Sequence, residues 1–281
     1  MRIENHNLYD HFSIQKPQGA AGNLECFLPL IPERYEAGRS RPAVLVIPGG
    51  GYSAVSDRES EPVAIRFLNQ GYAAFVLHYS VAPVRFPAAL REAAMAMRYI
   101  RENAERFKVD PHMVAAIGFS AGGHLCGSIG TMFDCPEVAD IGDAAMLRPD
   151  ALGLCYPVLV SWGKTNEGTF QNLTGGDAAL RKRVSLERQV RPDMPPAFIW
   201  HTRNDPAVPS RNSLIFAQAM DDLGLDYSLR IYKNGAHGLS TADDVTYLAH
   251  AIPEHSADVN GWEDLMIDYF RELGIRIRDR K

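Results

Sequence analysis

Five successive apolar residues, Met113-Val114-Ala115-Ala116-Ile117, run straight into Gly118-Phe119-Ser120-Ala121-Gly122-Gly123-His124, and this junction constrains the fold more than any other stretch. A segment apolar on consecutive positions suits a strand buried on both faces of a parallel sheet. Glycine costs order in strands and helices, so Gly118, Gly122 and Gly123 need a reason. A strand-to-helix turn tight enough to push Ser120 out of the sheet supplies one. The serine takes strained dihedrals there, and neighbours with side chains would collide with the adjoining elements. The junction reads as a nucleophile elbow, G-x-S-x-G, and the rest of the chain must supply the partners such a serine needs.

Similar apolar runs alternate with helical patterns on either side of this junction. Strands are expected at Ala43 to Ile47, Tyr72 to Tyr79, Met113 to Ile117, Ala151 to Pro157, Ala197 to Thr202 and Tyr227 to Tyr232. Helices are expected at Glu59 to Gln70, Pro87 to Phe107, Ala121 to Met132, Ser210 to Leu223 and Ser256 to Leu273. The pattern predicts one α/β domain over residues 1–281, a doubly wound, mostly parallel sheet with helices on both faces. Residues from about Leu159 to Pro196 show no clear periodicity and carry Gly163, Gly168, Gly175, Gly176 and Pro195-Pro196. A long irregular stretch in a compact domain suits a lid-like or substrate-binding excursion.

With 46% hydrophobic and 22% charged residues in 281, the chain has the balance of an ordinary globular protein. A formal net charge of −5, with no Lys/Arg run, argues against nucleic acid as a partner. The start Met1-Arg2-Ile3-Glu4-Asn5-His6-Asn7 lacks an apolar core, and no apolar stretch of about 18 residues follows, so the expectation is a cytoplasmic protein without a membrane partner. Cys26, Cys126, Cys135 and Cys155 are too irregularly spaced for a zinc or redox motif and read as buried free thiols. No HExxH occurs and the nine histidines do not cluster at ligand spacing, so no metal is expected.

A serine hydroxyl is a poor nucleophile at neutral pH and needs a base, a group orienting that base, and donors for the oxyanion that forms. The candidate base is His237, in the polar turn Asn234-Gly235-Ala236-His237-Gly238 after the strand ending near Tyr232. Turns at the carboxyl ends of parallel strands face the ligand crevice. The candidate orienting acid is Asp205, which follows the strand of Phe198 to Thr202 in the same way. Asp193 and Asp226 are rivals, the first inside the irregular stretch and the second ahead of its strand. His201 reads as structural. The order Ser120, Asp205, His237 is that of α/β-hydrolases and differs from the chymotrypsin and subtilisin orders. Backbone amides of Ala121 and of the loop Pro48-Gly49-Gly50-Gly51-Tyr52, chiefly Gly50 and Gly51, are the expected oxyanion donors. Gly49-x-Gly51-x-x-Ala54 also fits a dinucleotide fingerprint, but His78-Tyr79-Ser80 stands where an acidic ribose ligand belongs, so no cofactor is expected.

The segments IPGGGY, SDRESEPVAIRFLNQGYAAFVLHYSVAP, GFSAGGHL, PPAFIWHTRND and GAHGLS resemble α/β-hydrolase esterases of the acetyl xylan and feruloyl esterase type, related to hormone-sensitive-lipase-type esterases. The resemblance spans roughly Asn23 to Leu273. It implies a serine carboxylesterase acting through an acyl-enzyme on short acyl, chiefly acetyl, esters of carbohydrates such as xylo-oligosaccharides. An arylformamidase-like amide hydrolase is the alternative, with Tyr52 or Trp162 stacking on an aryl ring. A catalytically inactive binding protein of the same fold is a further one. A homodimer is compatible with the chain. One departure stands out: lipase-type loops often begin His-Gly-Gly-Gly, and here Pro48 occupies the histidine position, so the loop must be supported in another way.

Overall fold

A computed structural model describes residues 1–30, 34, 39–247 and 258–279. Eight strands form one sheet: β1 (Arg2–Asn7), β2 (Asn23–Leu28), β3 (Arg39–Ile47), β4 (Ala73–His78), β5 (Val109–Phe119), β6 (Ala151–Cys155), β7 (Ala197–Thr202) and β8 (Tyr227–Tyr232). Their spatial order is β1-β2-β4-β3-β5-β6-β7-β8, and β4 through β8 pair in parallel. β1 and β2 add antiparallel at one edge, and a short β9 (Arg278–Asp279) pairs with the start of β3. The six strands expected from apolar runs are the parallel ones. The antiparallel pair was not anticipated, because β1 is a largely exposed edge strand of polar residues and carries no apolar run.

Alternate side chains of each strand enter different cores. On β3, Ala43, Leu45 and Ile47 belong to one and Val44 and Val46 to the other, as a period of two requires. Of the shorter helices, α1 (Leu8–Phe12) links β1 to β2. Helix α2 (Glu61–Asn69) buries Val63, Ala64 and Phe67 against the Val44 face, and α3 (Ala88–Glu102) buries Ala93, Ala94 and Met97 against the Leu45 face. The chain therefore leaves β3 for β4 on one side and reaches β5 on the other. The reversal opens a crevice at the carboxyl ends of β3 and β5.

Pro87 to Phe107 is not one helix. It breaks at Asn103, whose side-chain amide donates to the Tyr99 carbonyl at 2.9 Å, and a single turn, α4 (Ala104–Phe107), follows. Such side-chain competition for backbone groups commonly ends a helix. Helix α5 (Ala121–Thr131) leaves the serine elbow, and the single turn α6 (Ala144–Leu147) precedes β6.

The stretch from Leu159 to Pro196 is likewise more regular than its sequence suggests. It holds α7 (Glu167–Thr174), capped by the Asn166 side chain on the Thr169 amide, and α8 (Ala178–Arg183), capped by Asp177 on the Leu180 amide. Phe170, Leu173, Val184 and Leu186 anchor it in the core. Helix α9 (Arg211–Asp221) follows β7, and α10 (Trp262–Glu272) covers the Val44 face, beginning after Gly261. Of the expected C-terminal helix, Ser256 and Ala257 lie outside the described residues.

Candidate active site

At the carboxyl end of β5, Ser120 adopts φ 53° and ψ −116°, a region costly for a side-chain-bearing residue. Three hydrogen bonds hold it there: its N–H donates to the Cys155 carbonyl at 3.0 Å, and its carbonyl accepts from the His124 and Val158 amides, each at 3.1 Å. The flanking glycines are steric necessities. A Cβ on Gly118 would lie 2.2 Å from the Gly122 carbonyl oxygen, and one on Gly122 would lie 2.1 Å from that of Ile47. The elbow thus packs backbone against backbone between β3, β5 and α5.

His237, in the turn after β8, places Nε2 2.8 Å from Ser120 Oγ and Nδ1 2.7 Å from Asp205 Oδ2. Asp205, after β7, has a fully buried side chain. Burial pushes its carboxyl up, but the His201 and His237 hydrogen bonds, the His237 charge and the Val208 amide outweigh it and hold the group well below the usual carboxylate range. Asp205 Oδ1 accepts from the Ala207 and Val208 amides at 2.9 and 2.8 Å, which fixes the carboxylate plane. A carboxylate held ionised against Nδ1–H leaves Nε2 as the ring's acceptor, facing the serine.

His201 is buried in β7, bonded to Ser213 Oγ and the Val208 carbonyl, with Nε2 3.4 Å from Asp205. It braces the acid from behind. The rival Asp193 pairs on the surface with Arg191, and Asp226 accepts the Tyr269 hydroxyl. Neither is bonded to His237.

Gly50 and Gly51, at φ 128° and 65°, line the cleft in front of Ser120. The loop's carbonyls are turned away and engaged. That of Pro48 accepts the Tyr79 hydroxyl, that of Gly49 the Ser56 amide, that of Gly50 the Ser53 and Ala54 amides, and that of Gly51 the Asn172 side chain at 2.8 Å. Ala121 opens α5, and a first helical residue has no intrahelical acceptor for its N–H.

The support that Pro48 cannot give comes from Glu59, a residue that sequence reasoning missed. Only 3% exposed, it accepts the Gly49 N–H at 2.7 Å through Oε2 and the Tyr156 hydroxyl at 2.5 Å through Oε1. Tyr156 in turn accepts the Ser240 N–H at 2.9 Å, and its ring packs edge-on to His237 with centroids 5.1 Å apart. The neighbouring Arg58 donates to the carbonyls of Gly238 and Thr246 at 3.1 and 3.3 Å. Arg58 and Glu59 thereby join the glycine loop to the His237 turn. The only sequence signal was the charged run Asp57-Arg58-Glu59 just after the candidate loop, which reads simply as the start of the expected helix.

Tyr52 and Trp162 do not line the cleft, which corrects the aryl-stacking expectation. Tyr52 is buried, its hydroxyl donating to His124 Nδ1 at 2.9 Å, while His124 Nε2 donates to the Val184 carbonyl at 2.8 Å. Burial, partly opposed by the Val184 bond, drives the His124 imidazole down to about 4. Trp162 bonds Glu187 through its indole N–H and packs under the Arg211 guanidinium.

The cleft encloses about 300 Å³ and is walled by Gly50, Gly51, Ser56, Arg58, Asn166 and Thr169 around Ser120 and His237. Among the described residues no large apolar side chain lines it. Among the described residues no group of His, Cys, Asp and Glu is placed to hold a metal, and no helix is long and apolar enough to cross a membrane. Cys26, Cys126 and Cys155 are buried free thiols and Cys135 is half-buried; burial pushes all four upward.

Residues 31–140 match the BD-FAE family and residues 91–254 the prolyl oligopeptidase family. Endo-1,4-beta-xylanase B of Butyrivibrio fibrisolvens is 36% identical over 230 residues, covering 78% of this chain and 35% of that protein. Acetylxylan esterase of Xylanibacter ruminicola is 31% identical over 235 residues, covering 81% of this chain and 45% of that protein. The chain thus spans less than half the length of either relative. Among solved structures, an acetyl ester-xyloside bifunctional hydrolase from Caldicellulosiruptor lactoaceticus superposes with a TM-score of 0.76 at 33% identity, covering 90% of this chain and 89% of that one. A carboxylesterase from Lactobacillus plantarum gives 0.83 at 25% identity over 98% and 99%. With fold, site order and relatives in agreement, the chain belongs to the α/β-hydrolase superfamily, in its acetyl xylan and feruloyl esterase-like branch.

Proposed function

We propose that the chain hydrolyses short-chain acyl esters, acetyl esters first, on carbohydrates such as xylo-oligosaccharides, through an acyl-enzyme on Ser120. The observation that carries this reading is the Ser120–His237–Asp205 relay, at 2.8 and 2.7 Å, opening on a small polar cleft. His237 Nε2 takes the Ser120 proton as Oγ attacks the acyl carbon. The carbonyl π electrons pass to oxygen, and the amides of Gly50, Gly51 and Ala121 receive the negative charge. Collapse of this intermediate expels the sugar alkoxide, which takes the proton from His237. Water, deprotonated by the same nitrogen, then attacks the acyl-serine and releases the carboxylic acid. Asp205 keeps Nδ1–H in place and stabilises the imidazolium in both halves. The scheme needs no cofactor.

A cleft of about 300 Å³ lies at the lower end of ligand-site sizes. Its hydroxyl, amide and guanidinium walls suit a hydroxyl-rich alcohol better than an alkyl chain. The names of the acetylxylan esterase and the acetyl ester-xyloside hydrolase among the relatives agree with that preference. The aryl-formamide alternative loses its support, because neither Tyr52 nor Trp162 reaches the cleft.

The test is hydrolysis of p-nitrophenyl acetate and acetylated xylo-oligosaccharides, with a fluorophosphonate adduct mapped by mass spectrometry. The adduct is expected on the peptide containing Ser120. Ser120→Ala should lower kcat by about 10⁴-fold or more. An active alanine variant, or an adduct elsewhere, would refute the assignment.

A further inference from the structure

Resting on that reading, we infer that Arg58 anchors a carboxylate carried by the alcohol half of the substrate, so that the preferred esters are acylated acidic sugars, such as oligosaccharides bearing a uronic acid. Arg58 is exposed and lines the cleft with Ser120 and His237. Among the described residues its guanidinium donates to the Gly238 and Thr246 carbonyls. It makes no ion pair among the described residues. Glu59, the one carboxylate that shares the cleft lining, is occupied by Gly49 and Tyr156. Asp243, close in sequence to Thr246, is paired with Arg66. A guanidinium has five N–H donors in a planar fork matched to a carboxylate. Two carbonyl bonds leave three of the five N–H donors unengaged among the described residues, on a side chain that lines the cleft.

The position of Arg58 also selects the half of the ester. Its anchor, Gly238, directly follows His237, and His237 must lie beside the leaving oxygen to return the proton to it. In the proposed scheme the glycine loop and the Ala121 amide receive the carbonyl oxygen instead. A charge borne by the alcohol therefore meets Arg58, whereas a charge at the end of the acyl group points elsewhere.

Three ester pairs test this. The first is acetylated glucuronic-acid-branched xylo-oligosaccharides against the same material after carboxyl reduction. The second is 4-acetoxybenzoate against 4-acetoxybenzamide, and the third, with the charge on the acyl side, is p-nitrophenyl hemisuccinate against p-nitrophenyl butyrate. The wild type should favour the acid by about tenfold or more in kcat/KM in the first two pairs, mainly through KM and less so at high salt, and show no such preference in the third. Arg58→Gln should bring the first two ratios near one, and Arg58→Lys should restore part of them. A wild-type ratio near one in the first two pairs overturns the inference without using a variant. So does Arg58→Gln slowing acid and neutral esters equally, since Arg58 would then serve only the His237 turn, and so does a preference confined to hemisuccinate. If no acyl ester is cleaved at all, it is the esterase reading that fails.

Discussion

Glu59 and Tyr156, 97 positions apart in sequence, share a 2.5 Å hydrogen bond beneath the cleft, and through it the glycine loop and the His237 turn are held in one network. Both oxygens of Glu59 act as acceptors, one for Tyr156 and one for the Gly49 amide. Glu59→Gln keeps the shape but turns one acceptor into an amide donor, which must then face a donor. An unmatched buried polar group costs about 1–3 kcal/mol, and here the cost falls on the glycine loop, displacing the amides proposed to receive the oxyanion. We expect kcat for p-nitrophenyl acetate to fall about tenfold to a hundredfold with KM nearly unchanged. Steady-state kinetics on a variant of wild-type circular dichroism checks this, and an unchanged kcat would show that the loop holds itself.

His124 ties the helix that follows Ser120 to Tyr52 and to the Val184 carbonyl and is buried as neutral imidazole. Its folded value of about 4 lies below the ordinary 6.5. Between those values the unfolded chain binds a proton that the folded protein excludes. Stability from this group is therefore complete above about pH 6.5 and lost as pH falls toward 4, by roughly 3 kcal/mol. Urea unfolding at a series of pH values should show that fall, and His124→Gln should flatten it while lowering stability at pH 7. A variant that keeps the wild-type slope would place the acid sensitivity elsewhere.

Much of this site was legible in the sequence because its parts are local. An apolar run meeting Gly118-Phe119-Ser120-Ala121-Gly122 encodes a strand, an elbow and a helix within a few residues, and His237 and Asp205 each follow a β-rich run directly. What stayed hidden depends on contacts distant in sequence. Glu59 gains its meaning only when Gly49, Tyr156 and Ser240 converge on it, and Tyr52 looked like a pocket aromatic until His124 was seen to claim its hydroxyl. The helices at Glu167–Thr174 and Ala178–Arg183 are too short to display a 3.6-residue period. Their cap residues, Asn166 and Asp177, were the readable signal.

Glu263, in the first turn of α10, gives a pH effect of opposite sign. Burial pushes its carboxyl from 4.5 to about 7, and among the described residues Oε1 has no hydrogen-bond partner. Between those values the folded protein keeps a proton that the unfolded chain has released. This contribution is present below about pH 4.5 and lost as pH rises through 7, again by roughly 3 kcal/mol. Glu263→Gln should accordingly stabilise the protein at pH 8 and change little at pH 4.5. Urea midpoints at those two pH values decide it. Equal shifts at both would mean that packing, rather than ionisation, governs the site.

Acyl-chain length tests the cleft itself. Its walls near Ser120 are glycine backbone, Ser56, Asn166 and Thr169, and in the proposed scheme the acyl oxygen lies against the amides of Gly50 and Gly51. Each methylene beyond a short acyl group finds polar walls whose hydration it must displace, while its own transfer from water to an apolar site would be worth about 0.8 kcal/mol. Among the described residues no apolar side chain lines the cleft to supply that gain. Along the p-nitrophenyl series, kcat/KM should be highest for acetate or propionate and at least about tenfold lower for the eight-carbon ester. N-formylkynurenine, assayed beside them, should be a poorer substrate than the acetate, because among the described residues no aromatic ring lines the cleft to stack on its aryl group. A rate that climbs with chain length would reveal an apolar acyl channel, and a preference for the formamide by tenfold would replace the sugar-ester reading while leaving Ser120, His237 and Asp205 in their roles.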